Sequence, residues 1–119
     1  EIAQCLVGSE MCIRDRAKKG KCKYDGLYCL NDGIALGILR GLADDGVSVP
    51  GDVRVIGFDG LSQSMYSVPT LTTVATDFKG MADTALTLLM RRIENLDDEF
   101  FPQTVNVGYK LIERESTAA

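Results

Sequence analysis

The sequence predicts an α/β fold built on a parallel sheet, and three observations support this class. Two short apolar runs, YDGLYCL and RVIGFDG, have the length and composition of buried strands. The residues between them repeat apolar side chains at the spacing of one helix face. The chain is 119 residues long, 45% hydrophobic and 25% charged, which fits one soluble globular domain. A strand, a helix and a second strand in this order form a βαβ unit with parallel strands and a right-handed crossover.

The predicted βαβ unit has readable boundaries. Its first strand covers about 26–30 and ends at Asn31 and Asp32. Asp32 is the expected N-cap of the helix, because its carboxylate can accept hydrogen bonds from the N–H groups of the first turn. A glycine stop at 45–46 ends this helix, and the second strand follows over about 53–58. The helix is expected to bury one apolar face, composed of Ile34, Ala35, Ile38, Leu39 and Leu42.

The second half of the chain predicts another strand, a long helix and a final strand. LTTVAT is a short strand, and Asp77 is the expected N-cap of the helix after it. Residues 95–102 form a charged loop, residues 105–111 alternate as in a half-buried strand, and the terminal ERESTAA is expected to be a frayed tail. The long helix is expected to pack an apolar stripe into the core, composed of Met81, Ala82, Ala85, Leu86, Leu89 and Ile93.

Composition excludes several classes of function. Histidine is absent, which removes the Ser-His-Asp triad, the Cys-His pair and every histidine metal site. No apolar stretch approaches the roughly 20 residues that a transmembrane helix needs. From Tyr24 onward, seven basic and 14 acidic residues give a net charge of −7. This charge repels a phosphate backbone, so the segment is not expected to read DNA itself.

The cysteines predict neither a metal site nor a disulfide framework. Their spacings match no zinc knuckle and no CxxC redox motif. Cys29 lies within an apolar strand, and no secretory signal precedes it, so we expect buried thiols in a reducing cytoplasm. The four residues are Cys5, Cys12, Cys22 and Cys29.

The amino-terminal segment has no readable period and resembles something other than a protein sequence. The stretch CLVGSEMCIRDR, residues 5–16, is similar to the translation of a transposase-type sequencing adapter joined to genomic DNA, and its EMCIRDR core carries the resemblance. The alternative is a genuine, irregular amino-terminal strand that buries Val7 and Ile13. We expect residues 1–16 to be non-native and 17–119 to be the carboxyl-terminal part of a longer protein.

Polar side chains end both strands of the βαβ unit. Ligands of open parallel sheets collect outside the carboxyl ends of the strands, where Asn31, Asp32 and Asp59 stand. Carboxylate and amide groups can accept hydrogen bonds from the hydroxyl groups of a sugar or the ring N–H groups of a nucleoside. Asp32 is interpreted mainly as a helix cap and Asp59 as a ligand contact, because Gly60 rather than a helix follows it.

These residues belong to a longer family pattern. The sequence YDGLYCLNDGIALGILRGLADDGVSVPGDVRVIGFDG, followed by YSVPTLTTV and a long helix ending in LLMRRI, resembles the effector-binding region of lactose-repressor and galactose-repressor (LacI/GalR) type transcription regulators. The resemblance covers about 17–119. It implies a two-lobed fold similar to type I periplasmic sugar-binding proteins, of which this chain carries a βαβ fragment.

The resemblance assigns roles to particular residues. It implies effector contacts from Asp59 and Asn31, with Asp32 weaker, and a homodimer interface that includes Leu36, Arg40 and Tyr66. It implies that 17–70 belong to the carboxyl-terminal lobe, that 71–100, with LTTV and the long helix, belong to the amino-terminal lobe, and that 101–119 form a return strand and tail. Operator DNA would be bound only through a helix-turn-helix that these residues do not contain.

Three classes of function compete. The first is the effector-binding and dimerisation domain of a cytoplasmic regulator that senses a sugar or nucleoside-like molecule. The second is a periplasmic sugar-binding protein of a transporter, which needs an export signal and usually lacks the VP-x-DV and P-x-LTTV signatures. The third is a hydrolase with Asp32 and Asp59 as its carboxylate pair, for which no further catalytic group is recognisable. The sequence favours the first, which is not an enzyme and needs no cofactor or metal.

Overall fold

The computed structural model describes residues 2–5, 24–95 and 101–118 of the chain. Five strands are present in these ranges, in the spatial order β1-β2-β3-β4-β5. Strand β1 pairs parallel with β2, β2 with β3, and β3 with β4. The elements in chain order are β1 (Ile2–Cys5), β2 (Gly26–Cys29), α1 (Asp32–Asp44), β3 (Arg54–Asp59), a short 3₁₀ helix (Ser62–Met65), β4 (Thr72–Thr76), α2 (Phe78–Glu94) and β5 (Tyr109–Ile112).

The predicted βαβ unit is confirmed. Strand β2, helix α1 and strand β3 follow one another, and β2 and β3 run parallel with Leu27 opposite Val55. The apolar face of α1 packs on this pair of strands, as its helical spacing requires. The resulting core consists of Leu27, Cys29, Ile34, Ala35, Ile38, Leu39, Leu42, Val53, Val55 and Leu71.

The chain divides into two compact units. The first runs to Ala75 and resumes at Leu111, and the second comprises Thr76–Lys110. Strand β4 pairs with β3, with Thr73 opposite Gly57, and residues up to Ala75 lie in the first unit, while the predicted division into lobes stays a prediction. The buried side chains of Thr72 and Thr73 hold this strand within the first unit.

Helix α2 dominates the second unit. Its predicted N-cap is confirmed, because the Asp77 carboxylate accepts a hydrogen bond from the Gly80 N–H at 2.9 Å. The prediction that its apolar stripe packs into a core is wrong for this chain, since α2 has no buried residue. The large apolar side chains of α2 that remain exposed are Phe78, Met81, Leu86, Leu89, Met90 and Ile93.

The last strand is shorter than predicted. It covers only Tyr109–Ile112, whereas the alternation predicted a half-buried strand from residue 105. Val105 and Tyr109 are exposed, so the alternation does not mark a buried face here. Part of the charged loop predicted before it, 96–100, lies outside the described residues.

The carboxyl-terminal segment is not a frayed tail. Ser116 is fully buried, and its N–H donates to the Thr70 carbonyl at 2.9 Å. Its hydroxyl donates to the Val55 carbonyl at 2.6 Å and accepts from the Thr72 N–H at 2.8 Å. Arg114 donates from Nη1 to the Leu71 carbonyl at 2.6 Å. We call residues 114–117 the terminal clasp, because they join the beginnings of β3 and β4.

The described part of the amino-terminal segment is a strand. Residues 2–5 form β1, in register with β2 so that Cys5 lies opposite Cys29. The rest of the adapter-like stretch, 6–16, lies outside the described residues, and so do Cys12 and Cys22. Cys29 is fully buried, as predicted. Within the described ranges, neither α1 nor α2 combines the length and apolar character needed to cross a membrane.

Candidate functional site at the carboxyl ends of the parallel strands

The residue that ends β3 has an unusual backbone conformation. Asp59 has a φ of 107°, and Gly60 after it has a φ of 79°. A positive φ is rare for a residue other than glycine and tends to occur where function requires it. A Cβ atom at Gly60 would lie 2.4 Å from the Cβ of Ala75, so the turn passes directly against β4. This turn fixes Asp59 at the carboxyl edge of the sheet.

Asn31 stands at the same edge, after β2. If the register that pairs Tyr28 with Ile56 continues past the strands, Asn31 is level with Asp59. Asn31 is the N-cap of α1: its backbone is extended, and its Oδ1 accepts from the Ile34 N–H at 2.8 Å. Its amide NH2 group makes no hydrogen bond within the described residues. The Oδ1 atom of Asn31 therefore caps α1, while its two amide N–H groups can donate to another group.

The prediction that Asp32 caps α1 is wrong. Asp32 is the first residue of the helix, with a fully buried side chain. Its Oδ2 accepts from the Leu61 N–H at 2.7 Å, and its Oδ1 accepts from the Thr73 hydroxyl at 2.6 Å. The carboxylate lies at the N-terminus of α1, where the helix dipole favours a negative charge. Asp32 thus connects α1, the loop after β3 and strand β4.

Two further residues complete this arrangement and were not singled out from the sequence. The hydroxyl of Thr73 also accepts from the Gly60 N–H at 3.2 Å. A Cβ atom at Gly57 would lie 2.2 Å from Oδ1 of Asp32, so only glycine leaves room for the carboxylate against β3. Adjacent threonines at the start of a strand that lies inside the sheet are a usable signal, because a buried hydroxyl needs a partner. We call Asp32, Gly57, Thr73 and the N–H groups of Gly60 and Leu61 the buried polar network.

The residues expected at a dimer interface all lie in the first unit. Leu36 is half-buried and packs against the core of that unit. Arg40 is exposed and forms an ion pair with Asp44, with 2.7 Å between Nη2 and Oδ1. Tyr66 is 80% exposed and Val68 is 90% exposed, on the loop between β3 and β4. An interface role for these residues remains a prediction.

Sequence comparison decides the family. Residues 6–117 match the profile of the periplasmic binding protein-like domain, which is most of the chain. The chain belongs to this family. This periplasmic binding protein-like domain is 34% identical over 90 residues to the HTH-type transcriptional repressor PurR of Actinobacillus pleuropneumoniae serotype 3 (strain JL03). That match covers 76% of this chain but 27% of the repressor, so the chain spans about a quarter of the length of such relatives.

Solved structures give the same assignment for the fold. The domain is 32% identical to a LacI-type transcription regulator from Bifidobacterium animalis subsp. lactis DSM 10140, with a TM-score of 0.80 over 93% of this chain and 39% of that one. It is 35% identical to a LacI family transcriptional regulator from Enterococcus faecalis V583 that has ribose bound, with a TM-score of 0.79 over 94% of this chain and 40% of that one. The expected fold class, an α/β fragment of a periplasmic-binding-protein-like fold, is confirmed.

Proposed function

We propose that this periplasmic binding protein-like domain is part of the effector-sensing domain of a LacI-family transcriptional regulator, and that the effector is a sugar or a nucleoside-like molecule. The observation that carries the proposal is the conformation of Asp59. This residue ends a parallel strand, at the edge of the sheet where ligands bind, and its positive φ is of the kind that occurs at functional sites. The similarity to a ribose-bound regulator supports a sugar as the first ligand to test.

The chemistry of the edge suits a polyhydroxylated ligand. A carboxylate at Asp59 accepts hydrogen bonds from hydroxyl groups, and the amide NH2 of Asn31 can donate to a ligand oxygen. A charge-assisted hydrogen bond is roughly twice as strong as a neutral one, so Asp59 is the residue on which affinity should depend most. The described residues supply this edge of the site, and the chain spans 40% of the ribose-bound relative.

The hydrolase alternative loses its second carboxylate. Asp32 is fully buried, and both of its oxygens accept hydrogen bonds from protein groups. A general acid or base must reach the substrate or a water molecule, which this placement does not allow. The relatives named above are transcription repressors and regulators, which also favours a binding role.

The test uses the full-length protein that contains this chain. Isothermal titration with ribose should give binding without turnover, and ribose should change the affinity of the protein for operator DNA. Binding without any affinity for DNA would instead support a periplasmic binding protein. Turnover of the sugar would contradict both.

The residue-level test is Asp59→Asn. Asparagine tolerates positive φ, so the exchange removes the charge with little backbone cost. We expect affinity for the sugar to fall by about 1.5 to 3 kcal/mol, the contribution of a charge-assisted hydrogen bond. Operator binding should persist. Asp77→Asn is the matched control, since asparagine caps a helix as well as aspartate does. Equal affinities in the two variants would refute the assignment of Asp59.

A further inference from the structure

We infer that Asp32 and Thr73 are positioning residues: they hold the turn after β3 so that Asp59 keeps the conformation in which it meets the effector, without contacting the effector themselves. This inference rests on the proposed function. It assigns to Asp32 a role different from both a helix cap and a ligand contact.

The two residues hold the turn through its backbone. The N–H groups of Gly60 and Leu61 directly follow Asp59. Thr73 Oγ1 accepts from the first at 3.2 Å, and Asp32 Oδ2 accepts from the second at 2.7 Å. The Thr73 hydroxyl in turn donates to Asp32 Oδ1 at 2.6 Å, which links the two acceptors. Both peptide groups after Asp59 are therefore fixed by one connected set of buried side chains.

The conformation of Asp59 needs such support. A φ of 107° is one that residues other than glycine adopt only when surrounding contacts enforce it. Strand β3 holds Asp59 from the amino-terminal side, and the network holds it from the carboxyl-terminal side. Without the acceptors, the turn can relax toward the extended backbone that aspartate ordinarily prefers. Relaxation would move the Asp59 carboxylate away from the position that the sheet edge gives it.

The placement of Asp32 is consistent with this role. The cap of α1 is Asn31, so the helix does not need the Asp32 side chain. A buried carboxylate carries a large desolvation cost unless hydrogen bonds satisfy it. Asp32 is fully buried, and Gly57 leaves the space for it. The fold thus buries a carboxylate whose two oxygens bind the Leu61 N–H and the Thr73 hydroxyl, the groups that fix the turn after Asp59.

The experiment compares Thr73→Val with Thr73→Ser in the full-length protein. Valine keeps the volume of threonine and removes only the hydroxyl, whereas serine keeps the hydroxyl. Thr87→Val is the matched control, because the Thr87 hydroxyl bonds only to the Asp83 carbonyl of its own helix at 2.7 Å and is exposed. Hydrogen-deuterium exchange of the peptide that spans Gly60 and Leu61 reports the turn without any ligand, and titration with ribose reports the site.

We expect Thr73→Val to raise exchange at least tenfold at Gly60, whose acceptor it removes, and less at Leu61, whose acceptor Asp32 it leaves in place. Ribose binding should weaken at least tenfold. Peptides from β2 should keep their protection, and Thr73→Ser and Thr87→Val should behave as wild type. Asp32→Asn is the second variant: its single carboxamide oxygen cannot accept from both Leu61 and the Thr73 hydroxyl as the carboxylate does, so exchange at Gly60 and Leu61 should rise above wild type. A rise confined to the turn, with protection in β2 unchanged, would not follow from a role in holding the whole first unit.

Four outcomes separate the inference from the proposed function. Unchanged exchange in Thr73→Val overturns the inference, and so does faster exchange with unchanged ribose affinity. Loss of protection in β2 in both Thr73→Val and Asp32→Asn also overturns it, in favour of a role in holding the whole first unit. A fourth outcome is faster exchange at the turn in Thr73→Val when the wild-type protein binds neither sugar nor operator DNA. This result would support the claim that Thr73 holds the backbone of the turn, and it would refute the proposed function.

Discussion

The terminal clasp gives the sharpest stability prediction. Ser116→Ala removes one hydroxyl that donates to the Val55 carbonyl at 2.6 Å and accepts from the Thr72 N–H at 2.8 Å. The side chain is fully buried, so water cannot replace the lost partner. The backbone of Ser116 keeps its own bonds to Thr70 and Val55, at 2.9 and 3.1 Å, and should hold the clasp in place. The variant therefore isolates the hydroxyl.

The magnitude follows from what is left unpaired. A buried donor or acceptor without a partner costs about 1 to 3 kcal/mol, and the Thr72 N–H is the group for which Ser116 is the acceptor. We expect the free energy of unfolding to fall by about 1 to 3 kcal/mol, measured as a lower urea midpoint at unchanged slope. Ser62→Ala is the matched control, because its exposed hydroxyl bonds to Gln63 at 3.3 Å and should change stability by less than about 0.5 kcal/mol. Equal midpoints for the two variants would refute the reasoning.

Three more predictions concern the clasp, the dimer and the turn. The Glu115 carboxylate accepts hydrogen bonds from the N–H and the hydroxyl of Thr70, which lower the pKa of Glu115 below its ordinary value. The stabilisation that these bonds give is present above the unfolded pKa and is lost as the pH falls through the folded pKa. The free energy of unfolding of Glu115→Gln, measured in urea, should therefore depend less on pH in the acidic range than that of the wild type. Leu36→Glu should convert a dimer to a monomer in light scattering, because the buried charge would meet its own copy across a two-fold axis, and an unaltered dimer with unchanged circular dichroism would place Leu36 in the intramolecular core alone. Gly60→Ala should lower the unfolding free energy by about 1 to 3 kcal/mol, since a Cβ there would lie 2.4 Å from that of Ala75 at a φ of 79°, and a wild-type melting temperature would contradict this geometry.

The sequence predicted the elements whose signals are local. Helix α1 and strands β2 and β3 follow from apolar periodicity, and Asp77 follows from the capping preference at the start of α2. Local sequence does not decide whether Asn31 or Asp32 forms the N-cap of α1, because asparagine and aspartate are both suited to that position. The choice depended on backbone angles: Asn31 is extended, so Asp32 enters the helix and is buried by Leu61 and Thr73.

The errors came from residues whose partners are distant in sequence. The polar ERESTAA predicted a solvated tail, yet its serine and arginine side chains donate hydrogen bonds to the main-chain carbonyls of Val55 and Leu71. The apolar stripe of α2 predicted burial, yet the described residues provide no surface that buries it. The geometry of the candidate site was predicted in part: Asp59 and Asn31 stand where two parallel strands end, whereas the contact of Thr73 with Asp32 was not expected.

The clasp also dictates an order of folding. Strands β2 and β3 and helix α1 meet through contacts close in sequence, whereas Ser116 must find Val55 across 61 positions. Closing a loop of that length has an entropic cost that only a largely formed sheet can offset. We therefore expect the clasp to dock after the transition state, so that Ser116→Ala accelerates unfolding and leaves the rate of folding nearly unchanged. The residues of the terminal clasp would then set the rate at which the first unit unfolds rather than the rate at which it folds. This short polar segment would therefore give kinetic stability to the sheet that carries Asp59.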